Sequence, residues 1–333
     1  MSRAKSVDAS RVRQFAALDP LLTIEKRQKL HHLLERAGLT RDDGSYRFSE
    51  LTLKYPRMQF APFDVSEECL DEISIGHLAF ILYGFLYDRQ LDGQVSFTEN
   101  DVQLVEEIKL AGIEHVWRAS LAVHASSQSE KEPQRTRDYD RFQQRINGLL
   151  ADYRDAQLTP YLDGSVSTLT PRREMNVAAG RAGYGFIATS FFSERLGISP
   201  KRRRAMKNAY DSLVTALQWA DDMVDWQEDL ITGDENLLLV SLKETGLDSY
   251  AHPPNAVREA NVGHALIENG LIDKALKRTH FWLRMAQESQ RRLGCDDLFQ
   301  RIADNNGAVD QAATTVESDI RRMVHATVMT FSR

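Results

Sequence analysis

The chain has 333 residues, with 42 Lys and Arg against 48 Asp and Glu, a net charge of −6 and a pI near 5.9. Hydrophobic residues at 42% and charged residues at 27% exclude a disordered, collagenous or low-complexity chain. The mild acidity excludes a global attraction to nucleic acid or anionic lipid. Gly (18) and Pro (9) fall below their usual joint share of roughly 12%, which favours long helices over many hairpins. Two cysteines, Cys69 and Cys295, are too few for a disulfide framework or a Cys-rich zinc site. The opening residues lack an apolar signal core, and the most apolar stretch, Ile75–Tyr87, is too short to span a bilayer. These features predict a cytoplasmic protein with no membrane span.

Residues 1–20 read as a flexible N-terminal arm, and 21–333 as one all-α domain. Helical spacing is present over Thr23–Ala37, and turn signals make 39–65 irregular. Ser66 to about Asp88 reads as a helix with Ser66 as N-cap, and Thr98–His124 as the next. Ser126–Thr136 is a polar connector, followed by a helix over Asp138–Ala156. Pro171 opens a long helix to Leu196, and Ser199 caps another from Pro200 to about Asp229. Helical patterns return at 236–246, 254–268, 270–293 and 296–330. There is no sustained strand alternation, repeat period or long Gly/Ser linker.

Asp221, Asp225 and Asp229 stand at i, i+4 and i+8 in LQWADDMVDWQEDLITG. On one helix this stacks three carboxylates in a column, each a turn apart. Val214, Leu217, Trp219, Met223, Val224 and Trp226 surround them with apolar side chains. Like charges at this spacing repel, and burial raises the penalty unless cations are present. Hard divalent cations resolve the conflict, and Mg²⁺ takes one or two carboxylates while keeping positions for phosphate oxygens. The plain alternative is a solvated acidic face, against which the flanking tryptophans count. Asp88 and Asp92 form a second i,i+4 pair at the end of the apolar run IGHLAFILYGFLYDRQLD. Two such helices would face each other across a bundle cavity and hold a metal cluster.

These motifs resemble the class I isoprenoid synthases, an all-α bundle with a central cavity shared by terpene cyclases, polyprenyl synthases and squalene/phytoene synthases. Asp88 and Asp92 match the D-x-x-x-D of the squalene/phytoene group. Asp221, Asp225, Glu228, Asp229 and Gly233 are similar to that group's second motif, and the three aspartates have the spacing of the cyclase metal triad. Ala179-Gly-Arg-Ala-Gly183 resembles the A-G-x-x-G at which a helix kinks beside the substrate. The departures are Val224 in place of the motif's Arg, Asp234-Glu-Asn-Leu in place of its basic continuation, and no Gly-Gly-Lys-Arg start.

The resemblance implies a prenyl diphosphate substrate and a cluster of three Mg²⁺ ions, or Mn²⁺ in their place. Asp88, Asp92, Asp221, Asp225 and Asp229 would be the metal ligands and catalytic residues. Arg181, alone in the apolar run VAAGRAGYGF, would sense the diphosphate. Phe80, Tyr83, Tyr184, Phe186 and Trp219, together with Phe85, Phe191 and Phe192, are candidate walls for a carbocation; ordinary core packing is their plain alternative. Absence of the basic elongation motifs favours cyclisation, with prenyl transfer, head-to-tail or head-to-head, as the alternative. Members of the fold often dimerise, which leaves a homodimer and a monomer both open.

A reading of a different class is an EF-hand. Residues 88–99, DRQLDGQVSFTE, place Asp88, Asp92, Gly93 and Glu99 at loop positions 1, 5, 6 and 12, and residues 39–50 are a degenerate echo. The simpler account of the same residues is that Gly93 ends one helix while Ser96 or Thr98 caps the next.

Overall fold

The computed structural model describes residues 22–41, 50–123, 132–162, 168–246 and 256–331. The expected arm over 1–20 and most of the connector at 126–136 lie outside them. The described residues form thirteen α-helices and one short 3₁₀ segment, with no strand. By contacts the chain divides into two compact units, Met1–Gln157 with Arg181–Arg204, and Leu158–Gly180 with Ala205–Arg333.

The first unit contains α1 (Ile24–Arg36), α2 (Glu50–Phe60), α3 (Glu67–Leu91), α4 (Glu99–Ala122), α5 (Glu132–Gln157), the 3₁₀ segment Gly183–Phe186 and α7 (Ile187–Arg195). Thr23 and Ser66 cap α1 and α3, and Thr98 closes a reciprocal capping box with Asp101 on α4. The helix α3 is central, with α2, α4, α7 and the 3₁₀ segment all against it. It is long and apolar enough to cross a bilayer, but 72% of its apolar window is buried inside the protein, as in a bundle's core helix. It meets α4 at two glycines: a Cβ on Gly76 would lie 2.5 Å from Val116 Cγ2, and one on Gly112 2.8 Å from Ala79 Cβ.

The irregular stretch expected at 39–65 contains a helix, α2, with Pro56 inside it. Burial of Tyr55, Met58 and Phe60 outweighs the proline's poor propensity. Proline has no N–H, so the carbonyl of Thr52, four residues back, loses its helical donor. His77 of α3 takes that place, its Nε2 2.7 Å from the Thr52 oxygen. Burial holds the His77 imidazole down at about 4, although the Thr52 and Gly185 backbone contacts favour its proton.

The helix expected over Pro171–Leu196 is broken into α6 (Pro171–Arg181), the 3₁₀ segment and α7. Gly180, Gly183 and Gly185 lower helix propensity here. Packing fixes the break: the Tyr153 ring occupies the space that a Gly183 Cβ would fill, at 1.9 Å, and the Tyr184 ring sits on Gly84 in the same way, at 2.5 Å. The basic run Lys201–Arg204 opens α8 (Pro200–Val224), with Arg202 over the Phe63 ring at 4.8 Å and Arg203 paired to Glu194 at 3.4 Å.

The second unit holds most of α6 and α8, then α9 (Trp226–Thr232), α10 (Leu237–Lys243), α11 (Ala256–Glu268), α12 (Leu271–Leu293) and α13 (Asp296–Phe331). The helices α11, α12 and α13 pack on one another, and α10 lies against α9, α11 and α12. Glu174 of α6 is fully buried. Its Oε2 accepts from the indole N–H groups of Trp219 (3.2 Å) and Trp282 (3.0 Å), and its Oε1 lies 3.4 Å from Arg278 Nε. One carboxylate thus ties α6 to α8 and α12.

The His77 arrangement predicts a pH dependence. Its folded-state pKa lies below the ordinary 6.5, so its contribution is whole above about 6.5 and is lost as pH falls toward 4. The size is about 3 kcal/mol. His77→Gln keeps a donor for Thr52 and removes the titration. In denaturant unfolding between pH 6.5 and 4, wild type should lose stability relative to this variant.

Candidate functional site

The second unit carries the aspartate ladder. The helix α8 stops at Val224, and Asp225 takes a non-helical conformation (φ −94°, ψ 7°) before α9 begins at Trp226. The single helix expected over Pro200–Asp229 is therefore two. The hydrogen-bond spacing nevertheless survives the break. Asp225 N–H donates to Asp221 O (2.9 Å), Asp229 N–H to Asp225 O (3.0 Å) and Gly233 N–H to Asp229 O (2.9 Å). The aspartates keep their one-turn spacing, and Gly233 ends α9 at φ +86°, where a side chain would be strained.

The ladder has a dry side and a wet side. Trp219, Met223 and Trp226 are buried, while Leu217 and Val224, expected as part of its apolar surroundings, are 41% and 50% exposed. Asp221 is exposed, and Asp225 and Asp229 are half-buried. Burial pushes the Asp229 carboxyl up to about 7 against the Asn236 hydrogen bond, and the charges of Asp225, Asp234 and Asp221 push it further.

Two neighbours went unread in the sequence. Asp222 points away from the ladder into the core. Its carboxylate accepts from Gln218 Nε2 and from the backbone N–H of Leu237, both at 2.5 Å, and burial raises its pKa well above the usual range. Asn236, fully buried, is the N-cap of α10: its Oδ1 accepts from Leu238 N–H (2.8 Å) and Leu239 N–H (3.2 Å). Its Nδ2 donates to the Asp222 carbonyl (2.7 Å) and to Asp229 Oδ2 (2.6 Å). An Asn just before Leu-Leu-Leu is a legible N-cap signal. Its second task, on a carboxylate seven residues earlier, has no sequence signature.

The first unit carries the other pair. Asp88 lies in the last turn of α3, half-buried, and Asp92 is its exposed C-cap, its N–H donating to Asp88 O at 3.0 Å. Because α3 continues to Leu91, the first four positions of the calcium loop considered above are helical. Gly93 (φ +70°) then ends the helix and Thr98 caps α4. The EF-hand reading is corrected accordingly, for no twelve-residue loop remains. Most of its echo at 39–50 falls outside the described residues.

Four tyrosines gather beside Asp88. Tyr83 stacks with Tyr87 (6.2 Å) and meets Tyr184 edge-on (6.1 Å), and Tyr153 adjoins Tyr184 (5.8 Å). Burial raises the Tyr184 phenol pKa, and Tyr83, Asp88 and Tyr87 add to the rise while Gln157 opposes it. Tyr87 and Tyr153 were not singled out by sequence. The other expected walls are placed in packed surroundings: Phe80 at the Gly112 contact, Phe186 buried in the 3₁₀ segment, Phe192 against Phe60 at 4.9 Å, Phe191 against Phe142 at 5.0 Å, and Trp219 on Glu174. Phe85 is 39% exposed. Arg181 closes α6, and its carbonyl accepts from Gln157 Nε2 at 2.8 Å.

Among the described residues no three His, Cys, Asp or Glu side chains converge as a preformed metal cage. The donors present are carboxylate oxygens, the class that Mg²⁺ and Mn²⁺ accept, and a site shared with phosphate oxygens needs only one or two of them per ion.

No protein-family model matches the chain, and no curated protein sequence matches it. Solved structures do. A geranylgeranyl pyrophosphate synthetase from the archaeon Geoglobus acetivorans superposes with a TM-score of 0.58 at 15% identity, over 92% of this chain and 96% of the other. A decaprenyl diphosphate synthase from Rhodobacter capsulatus gives 0.49 at 14% identity, over 94% and 99%. The first likeness places the chain in the all-α isoprenoid synthase fold, as its motifs implied.

Burial of Asp229 beside other carboxylates predicts that Asp229→Asn stabilises the fold in the absence of metal. The raised pKa means that the folded chain gains stability as pH falls from about 7 toward 4 and is penalised above 7. With chelator present, the variant should melt a few degrees above wild type at pH 8, and the gap should close at pH 4.

Proposed function

With the all-α isoprenoid synthase fold as premise, we propose that this protein is a Mg²⁺-dependent enzyme acting on an allylic prenyl diphosphate, and that the reaction is prenyl transfer. The observation that carries the reading is the ladder: Asp221, Asp225 and Asp229 keep one-turn spacing through a helix break, and Asp229 is raised to about 7 by burial and its carboxylate neighbours. A surface decoration would sit fully solvated near its ordinary pKa. Prenyl transfer is favoured over the cyclisation expected from the missing basic motifs, because the similar archaeal structure bears the name of a geranylgeranyl pyrophosphate synthetase.

In this reading Asp221, Asp225 and Asp229 supply hard oxygen ligands from the second unit, and Asp88 and Asp92 present a further pair on the first. Bound Mg²⁺ would supply positive charge for the diphosphate leaving group as the allylic C–O bond breaks. Arg181 adds a guanidinium for charge-assisted contact with phosphate oxygens. Tyr83, Tyr87, Tyr153 and Tyr184 offer aromatic faces, which favour cationic carbon and exclude water that would quench it.

The test is incubation of the pure protein with prenyl diphosphates of graded chain length, with and without isopentenyl diphosphate and Mg²⁺, and products read by mass spectrometry. A Mg²⁺-dependent longer or head-to-head diphosphate is the expected result, and Asp225→Asn should abolish it with an unchanged circular dichroism spectrum. A cyclic hydrocarbon would replace transfer with cyclisation. No consumption of any substrate would overturn the reading.

A further inference from the structure

We infer that Asn236 is a positioning residue that aims the Asp229 carboxylate for metal binding. The inference rests on the metal reading of the ladder proposed above. A carboxylate that ligates a metal needs its second oxygen held, or the group rotates and its lone pairs lose their aim. Asp229 has such a hold: Asn236 Nδ2 reaches its Oδ2 at 2.6 Å.

The Asn236 side chain cannot swing. The same Nδ2 group donates to the Asp222 carbonyl at 2.7 Å, and Oδ1 is fixed by two backbone N–H groups at the start of α10. The donors also settle which end of the amide is nitrogen, since Oδ1 faces N–H groups and Nδ2 faces a carbonyl and a carboxylate. Asp222 secures the assembly from below, holding Leu237 N–H through its Oδ2. Two orders of structure thus share one residue. The N-cap that starts α10 also sets one oxygen of Asp229 and leaves the other for a ligand. The turn Gly233–Glu235 brings Asn236 back to the ladder, and the Thr232 hydroxyl closes it on Asp234 Oδ2 at 2.7 Å.

A purely structural cap and a positioning residue respond differently to two substitutions. Serine caps a helix about as well as asparagine but is too short to reach Asp229 or the Asp222 carbonyl, whereas alanine loses the cap as well. The measurement is Mn²⁺ affinity in the presence of inorganic diphosphate, read from free Mn²⁺ by electron paramagnetic resonance, beside the thermal midpoint of the metal-free protein. Asn236→Ser, which keeps the cap, should melt between wild type and Asn236→Ala, yet both should weaken Mn²⁺ binding by about tenfold or more. Affinity that follows the cap, intact in Asn236→Ser and weak only in Asn236→Ala, overturns the inference and leaves a cap alone. Absence of Mn²⁺ binding by the wild-type chain overturns the metal reading itself, and this inference with it.

Discussion

Repulsion among closely stacked carboxylates is the constraint around which the second unit is organised. Three aspartates one turn apart, with a fourth at Asp234 directly after Gly233, would destabilise an ordinary helix. The chain does not relieve this by solvating every group. Asp229 stays half-buried and is driven toward neutrality, and the helix breaks at Asp225 while its i→i−4 hydrogen bonds persist. In the proposed reading, divalent cations bound between these carboxylates would offset their mutual repulsion.

The remaining framework holds this arrangement still. Glu174 grips Trp219, two residues before the ladder, and Trp282 with the same oxygen, so α6 and α12 fix the helix that delivers Asp221. Asn236 and Asp222 fix the far end, where α10 begins. In the first unit, close approaches at glycines do comparable work. Gly76 and Gly112 let α3 and α4 touch, and Gly84 and Gly183 make room for the tyrosine rings beside Asp88. His77 repairs the carbonyl left open by Pro56, so a helix with an internal proline can lie on α3.

Helix existence was legible in the sequence because caps and periodicity are local. Ser66 caps as read, Thr98 caps as in the simpler account of residues 88–99, and over the described residues each run of helical spacing lies largely in helix. The failures come from distant partners. A proline-containing helix at 50–60 is stabilised by burial and by a histidine seventeen or more positions away in sequence, neither visible in a local window. The break at 182–186 depends on Tyr153 and Tyr184 packing against glycines. Within the site, carboxylate spacing was legible, whereas the orientation of Asp222 into the core was not, because adjacent aspartates look alike until a neighbouring helix start claims one. Glu174 has no local signal that sets it apart from any first-turn acid, and only the two indoles reveal it as a core clamp. The calcium-loop pattern at 88–99 failed for the opposite reason, since α3 runs one turn further than the spacing suggested.

The central claim is that the ladder binds diphosphate through divalent cations. Calorimetric titration with an unreactive thiolodiphosphate analogue of a prenyl diphosphate, in Mg²⁺ and in chelator, addresses it directly, with Asp225→Asn as the paired protein. The account predicts binding that requires Mg²⁺ and disappears in the variant. Binding of equal strength in chelator, or undiminished in Asp225→Asn, would contradict it.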